Sequence, residues 1–245
     1  MTRAGVIHRE MQDFPMATLA DITGTGPALI LAPHPDDESL GTGGLIAAAC
    51  DAGTPPLVVI LTDGIGSHPN SRTHPPAALR RLREQETAQA TAELGLPPDR
   101  LLFLGLPDRF APHDGPGFEA AVTTLANLAA RHGCTRLLAP WRHDPHCDHL
   151  AAHRIAVAAS ARAGIGLVSY PVWGWTLPDN TALDGPRPTG HRLDVSAVLP
   201  RKRRAIAAHA SQHGQVVTDD PEGFVLPAAM LANFHHPYEV YLEGA

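Results

Sequence analysis

Five short apolar runs constrain the fold of this 245-residue chain more than any other feature. They are rich in Leu, Ile and Val and are continuous rather than alternating, which is typical of strands buried on both faces of a sheet. Segments with helical character separate them, each closed by a glycine at or just past its end. This alternation predicts a doubly wound, mostly parallel sheet with helices on both faces. The predicted strands are 28–32, 57–61, 101–106, 136–140 and 166–172, and the predicted helices are 39–52, 77–95, 118–132 and 150–163.

The rest of the chain is less regular. Beyond Pro171 the sequence indicates loops, with one strand at 191–195 and one helix from about 200 to 213. The region 173–199 carries no pattern that we can assign. Because neither an internal repeat nor a long linker is evident, we predict one Rossmann-like three-layer α/β domain over residues 1–245. Its core lies at about 28–172, and an embellishment follows at about 173–245.

Composition narrows the function classes. Apolar residues make up 44% of the chain, enough for a core that needs no disulfides, and three scattered cysteines fit a reducing compartment. The formal net charge of −6 lacks the basic footprint of a nucleic-acid binder. No apolar run approaches the ~20 residues of a membrane span, and the first fourteen residues lack the apolar stretch of a signal peptide. We therefore expect a cytoplasmic protein without nucleic-acid partner or membrane span, while a homo-oligomer stays compatible with the sequence.

Histidines and acids concentrate in two motifs, each directly after a predicted strand. The first, PHPDDES at 33–39, places one imidazole and three carboxylates within five residues, and such carboxylates repel unless a cation lies among them. A helix N-terminus favours acids too, but that alternative does not explain His34. The second, HDPHCDH at 143–149, has a solvated turn with an Asp N-cap as its alternative. Because the carboxyl ends of parallel strands lie at one edge of a sheet, we expect the two motifs to lie close together. Together they offer more than the three protein ligands that a catalytic zinc requires.

The two motifs also resemble those of a known family. PHPDDES after an apolar strand, followed a little over a hundred residues later by H-x-D-H at 146–149, is similar to the motifs of the PIG-L / LmbE-like family of zinc-dependent N-deacetylases. The resemblance covers about residues 28–172. Further segments that resemble the family are LTDG at 61–64, R-x-x-E at 83–86, FLGLPD at 103–108 and, in the tail, HASQ at 209–212.

The resemblance implies a metal site and a base. His34, Asp37 and His149 are similar to the His-Asp-His metal ligands of the family, which implies one Zn²⁺ per chain, with another divalent metal as the open alternative. Asp36 resembles the general base that takes a proton from the attacking water. Adjacent residues of an extended turn point in different directions, so Asp36 and Asp37 can divide these two tasks.

The resemblance also implies roles around the reacting amide. His146 is similar to the group that stabilises the oxyanion or protonates the leaving amine, and Asp148 to the carboxylate that orients or charges it. Arg83 and Asp108 resemble substrate-binding residues. Helical periodicity places Arg83 and Glu86 on the stripe of their helix that faces the core. Either Arg83 reaches the sheet edge and binds substrate while Glu86 holds it, or the two residues form an i,i+3 ion pair at the edge of the stripe.

Four weaker signals lie outside these assignments. His153 follows His149 by one helical turn and is a minor ligand candidate. Cys147 lies between proposed site residues, but in an extended turn its side chain would point away from them. Trp173 and Trp175 serve either to stack on a sugar ring or to pack. The basic run at 201–204 favours a solvated helix face over a phosphate or lipid contact.

These observations lead to three functional hypotheses. We expect a zinc-dependent hydrolase that removes an N-acetyl or N-acyl group from a small polar substrate containing an amino sugar. A metal-dependent phosphoesterase is the second, since such clusters also build two-metal sites with ions about 3.5–4 Å apart. A non-catalytic carbohydrate-binding module is the third, but it would require neither Asp36 nor His146.

Overall fold

The computed structural model describes residues 1–243, and a central β-sheet with helices packed on both faces dominates this part of the chain. None of its helices combines the length and apolarity that a bilayer crossing requires. The strands are β1 (Thr2–Arg3), β2 (Met16–Ala17), β3 (Leu29–Ala32), β4 (Leu57–Thr62), β5 (Leu101–Leu106), β6 (Arg136–Pro140), β7 (Gly166–Tyr170), β8 (Ala182–Leu183), β9 (Thr189–Asp194) and β10 (Tyr238–Glu243), and the α-helices are α1 (Ala4–Asp13), α2 (Leu19–Thr23), α3 (Asp37–Asp51), α4 (Pro76–Glu93), α5 (Gly115–His132), α6 (Cys147–Ala163), α7 (Leu199–Ala208) and α8 (Ala228–Ala232).

The strand order of the large sheet is β2-β9-β10-β7-β6-β3-β4-β5. The five central strands from β7 to β5 run parallel to one another, as the continuous apolar runs predicted. The chain moves outward from β3 through β4 to β5 and then returns to β6 on the other side of β3. The strand order therefore reverses between β3 and β6, and a crevice at such a switch point is where open α/β sheets bind ligands.

Two apolar layers hold the helices against the sheet. Along β3, Ile30 and Ala32 face the layer that includes α3, α4 and α7. Leu29 and Leu31 face the layer that includes α5 and α6. Because successive side chains of a strand point to opposite faces, one continuous apolar run supplies both layers. The predicted three-layer α/β fold is confirmed.

Helix α3 lies unusually close to the sheet. A Cβ atom at Gly41 would overlap the ring of Tyr170 on β7, and one at Gly44 would overlap Val195 after β9. The Tyr170 hydroxyl donates a hydrogen bond of 2.8 Å to the carbonyl oxygen of Leu31. This close approach fixes the start of α3, where the first motif lies, relative to strands β3 and β7.

The tail beyond the predicted core extends the same sheet. Strand β10, which was not predicted from the sequence, pairs antiparallel with both β7 and β9. Its apolar pattern is interrupted by Glu239, whose buried carboxylate lies 2.6 Å from the ammonium of Lys202. Lys202 belongs to the basic run 201–204, so the expectation that this run forms a solvated face is wrong for its one buried residue. The predicted helix 200–213 ends at Ala208 and continues as a short 3-10 turn.

Candidate metal centre

Two loops at the switch point carry the candidate ligands. The turn after β3 leads from His34 directly into α3, and the loop after β6 leads through residues 141–146 into α6. The ring centroids of His34 and His149 lie 5.2 Å apart, and those of His34 and His146 lie 4.6 Å apart. The fold thus brings together two motifs that are more than a hundred residues apart in the chain.

His34, Asp37 and His149 converge on one point. The Oδ2 atom of Asp37 lies 3.1 Å from Nδ1 of His34 and 3.2 Å from Nε2 of His149. All three side chains are buried. Nε2 of His149 forms no well-directed hydrogen bond even to the nearby Asp37 carboxylate, which is costly for a buried polar atom unless it serves as a ligand. Two imidazole nitrogens and one carboxylate oxygen are a donor set of the catalytic zinc sites of proteins, so these residues fit the metal that the sequence predicted.

A carboxylate contacts the second ring nitrogen of each of the two histidines. Nδ1 of His149 lies 2.9 Å from Oδ2 of Asp144, and Nε2 of His34 lies 3.1 Å from Oδ2 of Asp148. Such pairs fix the ring orientation and the tautomer of metal-bound histidines. Asp144 is fully buried and also accepts hydrogen bonds from the backbone N–H groups of residues 172–174. Asp144 belongs to the second motif but was not among the predicted site residues.

The electrostatics of the cluster favour positive charge. Burial alone would lower the pKa of His149, but the carboxylates of Asp37 and Asp144 outweigh it and raise that pKa to about 9. The same balance raises the pKa of His34 well above its usual value, since three carboxylates face its ring. The two imidazoles in turn hold the pKa of Asp37 far below its usual range despite burial. The carboxylates that favour protons on these two imidazoles would likewise favour a bound divalent cation.

Asp36 lies beside this cluster in an unusual backbone conformation. Its φ is 143°, which non-glycine residues rarely adopt, and its N–H donates a hydrogen bond of 3.0 Å to Oε2 of Glu38. Burial raises the pKa of Asp36 to about 7; the Arg83 guanidinium opposes this rise and the Asp37 carboxylate adds to it. A carboxylate with that pKa suits a general base at neutral pH.

Arg83 holds the turn that carries Asp36. Its Nη2 donates to the carbonyl oxygen of Pro35 at 2.5 Å and to Oδ2 of Asp36 at 3.2 Å, and its Nη1 donates to the carbonyl oxygen of Gly64 at 2.9 Å. Arg83 is buried and lines the cavity described below, so it reaches the sheet edge as the first sequence hypothesis expected. The expectation that Glu86 holds it is wrong.

Glu86 instead binds the HASQ segment. Its carboxylate accepts hydrogen bonds from the backbone N–H of Ser211 at 2.7 Å and from the Ser211 hydroxyl at 2.6 Å. In the same segment, Nε2 of His209 lies 2.9 Å from Oε1 of Glu38, the residue that accepts the N–H of Asp36. The HASQ segment therefore supports the Asp36 turn indirectly, through the Glu38 carboxylate. Sequence analysis noted the segment but assigned it no role.

His146 caps helix α6 and faces the cluster. Its Nδ1 accepts the backbone N–H of Asp148 at 3.2 Å, so the proton of the neutral ring is on Nε2. Burial and the nearby rings of His34 and His149 lower its pKa to about 4. The expectation that the Asp148 carboxylate orients His146 needs correction, because that carboxylate accepts from the backbone N–H groups of Arg109 and Ala111 and lies against His34.

The last two predicted residues, Asp108 and His153, differ in whether they contact the candidate metal cluster. Asp108 is buried, accepts the N–H of Gly66 at 2.9 Å and lies 3.4 Å from Nε2 of His34. It therefore contacts the candidate metal cluster and also lines the cavity in front of it. His153, the minor ligand candidate, has Nδ1 3.0 Å from the carbonyl oxygen of Pro140, an ordinary structural contact.

A cavity of about 220 Å³ opens in front of these residues. Trp173 lines it, and its ring lies 6.1 Å from that of His146 and 5.5 Å from that of Phe224. Trp175 packs instead near His8 of α1, so the two tryptophans have separate roles. The apolar part of the lining comes from Leu40, Trp173, Phe224, Leu226 and Met230. Phe224, Leu226 and Met230 lie in a tail segment where no strand or helix was predicted.

Comparison with known proteins identifies the family. The model of the PIG-L family, described as GlcNAc-PI de-N-acetylase, matches residues 29–160, more than half of the chain. The chain belongs to the PIG-L family. A relative from Nocardia farcinica, the 1D-myo-inositol 2-acetamido-2-deoxy-alpha-D-glucopyranoside deacetylase, is 30% identical, and the match covers 82% of this chain and 84% of the relative.

Solved structures agree on the PIG-L fold but differ in reaction. The N,N'-diacetylchitobiose deacetylase of Pyrococcus horikoshii has a TM-score of 0.61 at 19% identity, covering 91% of this chain and 79% of that one. The 4-carboxy-2-hydroxymuconate hydratase GalB of Pseudomonas putida has a TM-score of 0.57 at 22% identity, covering 78% and 81%. Because a hydratase shares the fold, the reaction must be argued from the site.

Proposed function

We propose that this protein is a zinc-dependent N-deacetylase that hydrolyses the N-acetyl or N-acyl group of a small polar substrate containing an amino sugar. The products would be a carboxylate and a free amine. The observation that carries the proposal is the convergence of His34, Asp37 and His149, with the unpartnered Nε2 of His149 beside the Asp37 carboxylate. The deacetylase named among the relatives, which acts on an N-acetylated amino sugar, supports the reaction and substrate class.

The residues around the cluster supply the proton transfers. A bound zinc ion would polarise the acyl carbonyl and make the attacking water more acidic. Asp36 takes the proton of that water. Burial raises its pKa to about 7 in the protein alone, and a bound cation would lower that pKa and so favour the ionised, proton-accepting form at neutral pH. Arg83 fixes the Asp36 carboxylate through Nη2 at 3.2 Å, so the base keeps one orientation as the substrate enters.

His146 and the cavity walls would act on the substrate. With Nδ1 accepting from the backbone, the Nε2–H of neutral His146 can donate to the developing oxyanion or to the departing nitrogen. Its low pKa favours donation by the neutral ring over transfer from a preformed imidazolium. Asp108 lines the cavity and is suited to accept from sugar hydroxyls, and the ring of Trp173, which also lines it, offers an apolar surface.

An amine-release assay on metal-loaded protein tests this proposal. A panel of N-acetylated amino sugars is compared with a panel of phosphate esters, so that phosphoesterase activity appears as a distinct outcome. The Asp36→Ala variant should keep its metal and lose about 10²–10⁴ in rate, the usual contribution of a positioned base. As a matched control, Asp184→Ala removes a carboxylate that is exposed, and it should retain both metal and rate. Parental hydrolysis by Asp36→Ala would disprove the base assignment.

A further inference from the structure

The start of helix α6 brings together three donor atoms of different chemistry. The Sγ atom of Cys147 lies 4.0 Å from Nδ1 of His146 and 3.9 Å from Oδ1 of Asp148. One donor atom from each residue falls within 4.8 Å of the other two. The sequence reading expected the Cys147 side chain to point away from its neighbours, but that expectation assumed an extended turn. Cys147 is the first residue of α6, so the chain is already turning there.

These separations are close to those of a metal site. Bond lengths of about 2.3 Å to sulfur and about 2.0–2.2 Å to nitrogen or oxygen imply donor separations of roughly 3.5 Å in a tetrahedral site. The two separations from sulfur therefore need to close by only about half an ångström, and the third pair of donors already lies within 4.8 Å. Cys147 is exposed, so an ion can reach the sulfur from solvent. A thiolate together with imidazole selects soft ions such as zinc and cadmium.

We propose that His146, Cys147 and Asp148 form a second, inhibitory site for a thiophilic divalent cation, distinct from the site of His34, Asp37 and His149. The Cys147 thiol releases its proton to solvent as the sulfur–metal bond forms, and no oxidation or reduction takes place. Nδ1 of His146 then binds the ion instead of accepting the N–H of Asp148, whose contact with it is a long 3.2 Å.

Occupation of this site would inhibit hydrolysis for two reasons, and this part of the inference rests on the proposed function. The His146 ring turns toward the ion and loses the position from which its Nε2–H donates to the substrate. The Asp148 carboxylate is drawn from Nε2 of His34, which it contacts at 3.1 Å. One ion thus disturbs both the proposed donor and one proposed metal ligand.

The test is a titration of zinc-loaded protein, holding one equivalent of zinc, with cadmium. We expect a second bound equivalent, a thiolate-to-metal charge-transfer absorption in the ultraviolet, and loss of amine release in parallel with that absorption. The Cys147→Ser variant should keep its first metal and its basal activity, lose the absorption, and bind the second ion at least about tenfold more weakly. Cys50→Ser removes a free, partly buried thiol elsewhere and should behave as the parent.

The two proposals fail separately. If the parent binds no second equivalent and shows no thiolate absorption, or if Cys147→Ser retains both, the inhibitory site is wrong whether or not the protein is a deacetylase. If the second ion binds through Cys147 but no N-acetylated substrate is hydrolysed, the metal site stands and the proposed function fails. Circular dichroism of both variants confirms that they are folded, and Cys147→Ala repeats the test with a side chain that cannot ligate.

Discussion

The Asp144→Asn substitution tests whether the carboxylate that contacts His149 strengthens metal binding at the proposed centre. Asp144 accepts the Nδ1–H of His149 at 2.9 Å, which leaves Nε2 of His149 with a free lone pair facing Asp37. An asparagine that presents its amide nitrogen there would donate to Nδ1 and move the ring proton to Nε2. Loss of such a supporting carboxylate weakens metal binding about 10–100-fold, which corresponds to about 1.4–2.7 kcal/mol.

The same substitution also costs stability. Asp144 accepts backbone N–H groups from residues 172, 173 and 174 at 3.0, 3.0 and 2.6 Å. The amide group has only one acceptor oxygen, so at least one buried N–H loses its partner, at a cost of about 1–3 kcal/mol. We therefore expect a folded protein with a lower urea midpoint.

Competition with a chromophoric chelator measures the metal affinity of Asp144→Asn directly. As a matched control, Asp184→Asn alters an exposed carboxylate that lies 3.8 Å from the His143 ring, and both its metal affinity and its urea midpoint should be parental. A folded Asp144→Asn protein with parental metal affinity would refute the reasoning, because the proposed ligand His149 would then not depend on its carboxylate partner.

Three further substitutions test the packing and charge around the site. Glu239→Ala leaves the buried ammonium of Lys202 unpaired and should lower the free energy of unfolding by about 3–5 kcal/mol; a loss below about 1 kcal/mol would show that the pair is hydrated. Gly41→Ala overpacks α3 against the sheet and should cost about 1–3 kcal/mol in urea unfolding, whereas Gly117→Ala, which has room for a Cβ, should not; equal effects would contradict the close approach. The parent should have a higher free energy of unfolding than His209→Gln. This difference should be full below pH ~6.5 and vanish as pH rises through the raised pKa of His209. A difference that grows with pH would contradict the assigned direction of the shift.

Much of the fold was predictable because each central strand is a continuous apolar run. Strands 101–106 and 136–140 coincide with the predicted ranges, since both are bounded by turn-forming or polar residues. Strand β10 escaped detection because Glu239 interrupts its apolar pattern. That carboxylate is tolerated in the core because Lys202, 37 residues earlier in the chain, neutralises it and the backbone N–H groups of Gly44 and Leu45 donate to it. A pairing of that kind leaves no local signal in the sequence.

The candidate site was predictable to the extent that its residues are local in the chain. His34, Asp36 and Asp37 lie within four residues, so the motif alone brought them together. The contact of Asp148 with His34 spans 114 residues and that of Glu86 with Ser211 spans 125, so both depend on how the helices pack. Neither contact was predicted: the family resemblance paired Asp148 with His146, and helical spacing paired Glu86 with Arg83.

The most direct test of the metal centre is anomalous diffraction at the zinc edge from crystals of protein loaded with one equivalent of zinc. We expect a single peak within about 2.0–2.2 Å of a His34 nitrogen, an Asp37 carboxylate oxygen and Nε2 of His149. A peak that none of these three residues contacts would contradict the account, as would a pair of peaks about 3.5–4 Å apart, which is the spacing of a two-metal phosphoesterase site.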